Sequence, residues 1–168
     1  MRRWRVALAT ALLAAGLPAA AQALVYTMVA TPLTVTQGDV TDYTFTFTNG
    51  GTPLIGCSEV LFPDEFWISS LGTPSASNGS AWSSSLNGQW VLVYSDTAAG
   101  RLRLAESVTF KVTALATTEG AYIFDYHVHT RRDCTGTNLL GTVTLPLTVL
   151  PGATPIPTPT PKIGRAHV

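Results

Sequence analysis

The chain has 168 residues, and its ten Lys and Arg balance ten Asp and Glu to a formal net charge of zero. The balance hides a split: Arg2, Arg3 and Arg5 open the chain, whereas residues 24–161 carry five basic and ten acidic side chains. An acidic body without a basic cluster excludes tracking along a phosphate backbone, so no nucleic-acid partner is expected.

Residues 1–23, MRRWRVALATALLAAGLPAAAQA, place three arginines ahead of the apolar run Val6–Leu17 and end on Ala21-Gln22-Ala23, an A-x-A pattern. This is the layout of a cleaved export signal, with Leu24 as the first mature residue. The run is shorter than the roughly 20 apolar residues of a spanning helix. The expected location is extracellular or the cell surface, with no membrane span in the mature chain.

LTVTQ (33–37) reads as a first short strand. In TDYTFTFTNGG (41–51), Tyr43, Phe45 and Phe47 share one face and Thr44, Thr46 and Thr48 the other, until Asn49-Gly50-Gly51 signals a turn. That period of two marks a half-buried strand. GCSEVLF (56–62) and QWVLVYS (89–95) supply two more, and in the second Trp90, Leu92 and Tyr94 are assigned to the core. ESVTFKVTA (106–114) and AYIFDYHVHT (121–130) repeat the alternation, and TVTLPLTVL (142–150) closes it, Pro146 marking a sheet edge or bulge. Gln37-Gly38-Asp39, Asn78-Gly79, Asn87-Gly88, Ala99-Gly100 and Glu119-Gly120 are turn formers between these runs. The expectation is an all-β fold: one antiparallel, Ig-like β-sandwich of about seven strands over residues 24–150.

Cys57 and Cys134 are the only cysteines. An even pair in an exported chain is read as one disulfide. Residues 151–162, PGATPIPTPTPK, form a Pro/Thr-rich linker that stays extended and solvated. IGRAHV (163–168) matches one reading frame of a common short-read sequencing adapter. It is read as an adapter artefact, with a downstream domain expected beyond the linker.

Four sets of residues carry side chains suited to chemistry. Asp125, His127 and His129 alternate on one strand face and could converge as metal ligands. No fourth ligand is evident and an H-x-H pair is weak, so the set is read as a solvent face, with neither metal nor cofactor expected. Among the aromatics, Trp82 lies in the loop-like SNGSAWSSS and is the expected exposed one; with Trp67 it is the candidate for stacking on a ligand. Ser83-Ser84-Ser85 lies in no G-x-S-x-G elbow. Glu59, Asp64 and Glu65 are carboxylates without a cleft to join them, so no catalytic residue is assigned.

TQGDVTDYTFTFTNGG (36–51), the stretch Val60–Phe66 with its Pro63-Asp64 turn, and RLRLAESVTFKVTALAT (101–117) together resemble bacterial surface "conserved repeat" domains. The likeness spans residues 33–150. The cysteine pair and the Trp-rich middle depart from that pattern. The resemblance implies an Ig-like sandwich and a non-catalytic structural or adhesive module of a larger cell-surface or secreted protein. Its expected partner is a surface protein or polysaccharide. A carbohydrate-binding accessory domain is the alternative, and cohesin-like protein docking a weaker third.

Overall fold

The computed structural model describes residues 26–135 and 143–153, which form eleven strands and no helix. The expected signal peptide, the adapter-like end and most of the Pro/Thr linker lie outside the described residues. The strands are β1 (Tyr26–Thr31), β2 (Thr34–Thr36), β3 (Val40–Asn49), β4 (Cys57–Leu61), β5 (Phe66–Leu71) and β6 (Ser75–Ala76). They continue as β7 (Trp82–Asn87), β8 (Trp90–Ser95), β9 (Ser107–Ala116), β10 (Gly120–His129) and β11 (Val143–Leu150). The all-β sandwich is as expected. The strand number is not, because β1, β5 and the short β6 and β7 escaped a reading that looked for long alternating runs.

One sheet runs β1-β3-β9-β5 with β6 also paired to β9, and the other runs β2-β11-β10-β4-β8-β7. All pairings are antiparallel except β2 with β11, which is parallel. The chain changes sheets between β1 and β2, at the cis Thr31–Pro32 bond. β2 therefore brings the start of the domain alongside its final strand. Its pairing covers only Thr148–Leu150 of β11, so at Pro146 the sheet has a neighbour on the β10 side alone. That is where a residue without an N–H is tolerated.

The period-two strands dictate the core. Tyr43, Phe45 and Phe47 of β3 and Val108, Phe110 and Val112 of β9 point inward from one sheet. They meet Val60, Val91, Val93, Phe124 and Tyr126 from the other. Phe45 stacks on Phe110 with centroids 5.3 Å apart, and Phe62 meets Phe124 edge-on at 4.8 Å. Each such pair adds about 1 kcal/mol to what burial alone provides.

The β8 assignment is corrected. Val91 and Val93 are fully buried, whereas Trp90, Leu92 and Tyr94 lie on the outer face and are only partly covered. QWVLVYS is apolar on both faces, so alternation could not fix its parity. The two valines pack in the narrow space between the sheets, and the larger rings lie over the outside.

Asn49 ends β3 at the expected turn, and it does so fully buried. Its Nδ2 donates to the carbonyls of Pro53 (2.9 Å) and Leu102 (3.0 Å), and its Oδ1 accepts from the Gly51 amide at 2.9 Å. The side chain thus holds the end of β3 to the segment that leads into β9.

Candidate functional site

The disulfide joins Cys57, at the start of β4, to Cys134, beyond the end of β10, with Cα atoms 5.2 Å apart. It crosses a place where the backbones already touch. A Cβ on Gly56 would lie 2.8 Å from Arg131 C and Arg132 N. Only glycine allows that approach.

Next to the disulfide, on the outer face of the larger sheet, β4 and β10 assemble a polar cluster. Their register sets Glu59 opposite His127 and Cys57 opposite His129. Alternation then aims Glu59, His127 and His129 away from the core, one row apart. Glu59 Oε2 lies 2.9 Å from His129 Nε2 and 3.9 Å from His127 Nδ1. The ligand-capable atoms of the three residues all fall within 4.8 Å of one another. The side chains are 16 %, 10 % and 27 % exposed for Glu59, His129 and His127, so the cluster is half-sunk and open to solvent at His127. Trp90 of β8 packs against the His127 ring, centroids 4.9 Å apart.

The candidate trio, read from the sequence as a solvent face, is therefore redrawn. His127 and His129 do meet, but Asp125 stands one row away, opposite Leu61 and Thr144, outside the cluster. Its place is taken by Glu59 from the neighbouring strand. The signal was present in GCSEVLF, where Cys57, Glu59 and Leu61 share a face. Only the strand register could tell that this face meets the histidines.

The two candidate aromatics separate. Trp82 is 3 % exposed and its Nε1 donates to the Gly100 carbonyl at 3.1 Å. This corrects the expected loop position: Trp82 begins β7, and its indole fills the space beneath the Gly100 turn. Trp67 is 68 % exposed on the outer face of the smaller sheet. It pairs across β9 with Leu115, which in turn pairs with Val40, itself 68 % exposed. The result is an apolar row three strands wide. In the adjoining row Thr113 Oγ1 donates to Asp42 Oδ1 at 2.7 Å.

A third polar region lies at the end of the sandwich near Cys134. Arg132 donates to the Asp96 carbonyl at 2.6 Å, Arg101 to the Ala98 carbonyl at 3.0 Å, and Arg131 pairs with Asp133 at 3.1 Å. Arg132 thereby ties the loop after β10 to the loop after β8, whereas the other two contacts lie within their own loops. Two hydrogen bonds from Thr135 hold the Asp133 carboxyl below its usual range, with Arg131 adding to the effect.

Several solved structures superpose on this sandwich at low identity. A cohesin module from a family 33 glycoside hydrolase of Clostridium perfringens superposes with a TM-score of 0.50 and 13% identity, over 76% of this chain and 98% of that one. The N-terminal domain of a Streptococcus gordonii adhesin gives 0.49 and 12%, over 74% of this chain and 32% of that one. A non-cellulosomal cohesin from the hyperthermophilic archaeon Archaeoglobus fulgidus gives 0.44 and 13%, over 75% and 85%. No protein-family model matches the sequence, and no curated protein matches it. At such identities the likeness is one of fold, and the resemblance to surface repeat domains stands at the level of the sandwich.

Proposed function

We propose that the chain is a non-catalytic, load-bearing module of an exported protein, serving a structural or adhesive role at a cell surface or in a secreted assembly. The observation that carries this reading is the parallel pairing of β2 with β11, Thr34 opposite Thr148, Val35 opposite Val149 and Thr36 opposite Leu150. Tension that passes β1, which is held to β3 in the other sheet, draws β2 towards its N-terminal end and β11 towards its C-terminal end. In parallel strands those pulls are opposed along the strand axis. The ladder is loaded in shear, and its hydrogen bonds must fail together rather than one at a time. The Gln37 amide extends the ladder with a bond to the Leu150 carbonyl at 2.8 Å.

The disulfide adds to the same design. Cys57 and Cys134 are 77 residues apart, so β4 to β10 lie inside a loop that tension cannot extend. Disulfides persist in oxidising compartments, which agrees with export behind residues 1–23. The Pro/Thr-rich composition of residues 151–162 suits a tether between modules. The Clostridium perfringens structure is itself described as a module of a glycoside hydrolase, which makes a modular role for this fold an ordinary one. Pulling along the β2–β11 seam tests the reading.

A second reading is favoured by Trp67. A flat indole exposed beside Val40 and Leu115, with Asp42 and Thr113 nearby, offers a stacking face and polar groups for a sugar ring. Under it the module is a carbohydrate-binding accessory domain. Polysaccharide titration followed by tryptophan fluorescence, with Trp67→Ala as the control, separates the two.

A further inference from the structure

We propose that Glu59, His127 and His129 form a binding site for a borderline divalent metal, with zinc the best match. Two imidazole nitrogens and one carboxylate oxygen are a donor set that zinc accepts, in tetrahedral geometry with bonds of about 2.0–2.1 Å. Donor atoms around such an ion stand about 3.3 Å from each other. The observed separations from Glu59 Oε2, 2.9 Å to His129 Nε2 and 3.9 Å to His127 Nδ1, straddle that value. Small rotamer adjustments would admit the ion without moving a strand.

The donors are also positioned before any ion arrives. Each stands on a paired strand in a fixed register, Glu59 on β4 and both histidines on β10. Trp90 packs on one face of the His127 ring. Hard oxygen-seeking cations such as calcium need six to eight oxygen ligands, which one carboxylate does not supply. The neighbouring Cys57 and Cys134 are joined to each other. They offer no thiolate, so the protein contributes three donors. The fourth position faces solvent, where His127 is most exposed, and is free for water or for a donor from a bound partner.

The site is independent of the load-bearing role and of the Trp67 face on the opposite sheet. Its test is calorimetric titration of the untagged, oxidised full chain with zinc chloride, in the absence of reductant. The chain has three histidines, so His167→Ala serves as the control for the tail. The expected result is one zinc per chain, kept in His167→Ala and weakened at least tenfold in His129→Ala and in His127→Ala. Glu59→Gln keeps the shape of the side chain but loses the anionic donor, and it must also weaken binding. Zinc binding that persists undiminished in Glu59→Gln and His127→Ala, or that vanishes in His167→Ala, overturns the assignment. So does the absence of zinc binding to the unaltered chain.

Discussion

Val35 and Val149 lie opposite one another in neighbouring parallel strands, one near the start of the sandwich and one near its end. Both are buried, at 7 % and 3 % exposure, so the same pair that loads the ladder in shear also belongs to the core. Hydrogen bonding and packing thus converge on the one parallel seam of an otherwise antiparallel fold.

The disulfide is expected to contribute most of any single covalent or non-covalent element. Closing a loop of 77 residues corresponds to ~4.5 kcal/mol in the chain-entropy treatment. Reduction, or the paired change Cys57→Ser with Cys134→Ser, should lower Tm by roughly 15 °C for a domain of this size. Under tension, reduction should also release about 28 nm of additional chain, from 77 residues at about 3.6 Å each. Differential scanning calorimetry with and without reductant checks the first figure.

The two tryptophans should respond oppositely. Trp82→Phe leaves the Gly100 carbonyl without its donor and opens a small void, for a loss of about 1–3 kcal/mol. Trp67→Ala removes a side chain that already faces water and should change stability by less than about 0.5 kcal/mol. Urea unfolding of both variants measures the contrast.

Gly56→Ala should be costly although the residue lies in a loop. The added methyl would stand 2.8 Å from two backbone atoms and 2.9 Å from the Thr130 carbonyl oxygen, none of which can rotate away. A loss of about 1–3 kcal/mol is expected, of the size seen for overpacking. An unchanged urea midpoint would show that the β4 and Arg131 backbones are not in contact.

Tyr43 links the core to alkaline stability. Burial pushes its phenol up to about 12 from the ordinary 10.0. The folded state therefore favours the neutral form. This contribution is complete below pH 10 and is lost as the pH climbs towards 12. The Tyr43 hydroxyl has no hydrogen-bond partner among the described residues. Tyr43→Phe should then be neutral or up to ~1 kcal/mol more stable at pH 7, with a shallower alkaline decline. Part of that decline will remain, because burial also raises Tyr26 and Tyr126. Unfolding curves at pH 7 and pH 11 test both statements.

The fold was legible wherever rings and small polar residues alternate. TDYTFTFT and SVTFKV alternate cleanly between rings and threonines, and both faces went where the alternation placed them. The disulfide followed from there being two cysteines in a chain whose first 23 residues read as an export signal. Parity failed in QWVLVYS, because both faces are apolar and nothing local distinguishes Val91 from Leu92. Trp82 failed because its serine and glycine neighbours look like a loop, whereas its partner, the Gly100 carbonyl, lies eighteen residues away. The Glu59–His127–His129 cluster was half legible. The histidine pair could be read along one strand, but the glutamate belongs to a strand whose register only the fold supplies.

The central claim is that the β2–β11 seam bears load in shear, and one comparison of pulling directions tests it most directly. Handles at Leu33, just ahead of β2, and at residue 153 pull the two strands past one another. Handles at Asp39 and residue 153 grip the same seam from one end, where Gln37 bonds Leu150, and unzip it. A first rupture force several-fold higher for the Leu33–153 geometry is the predicted result. Equal forces in the two geometries, or a higher one when unzipping, would contradict the load-bearing account.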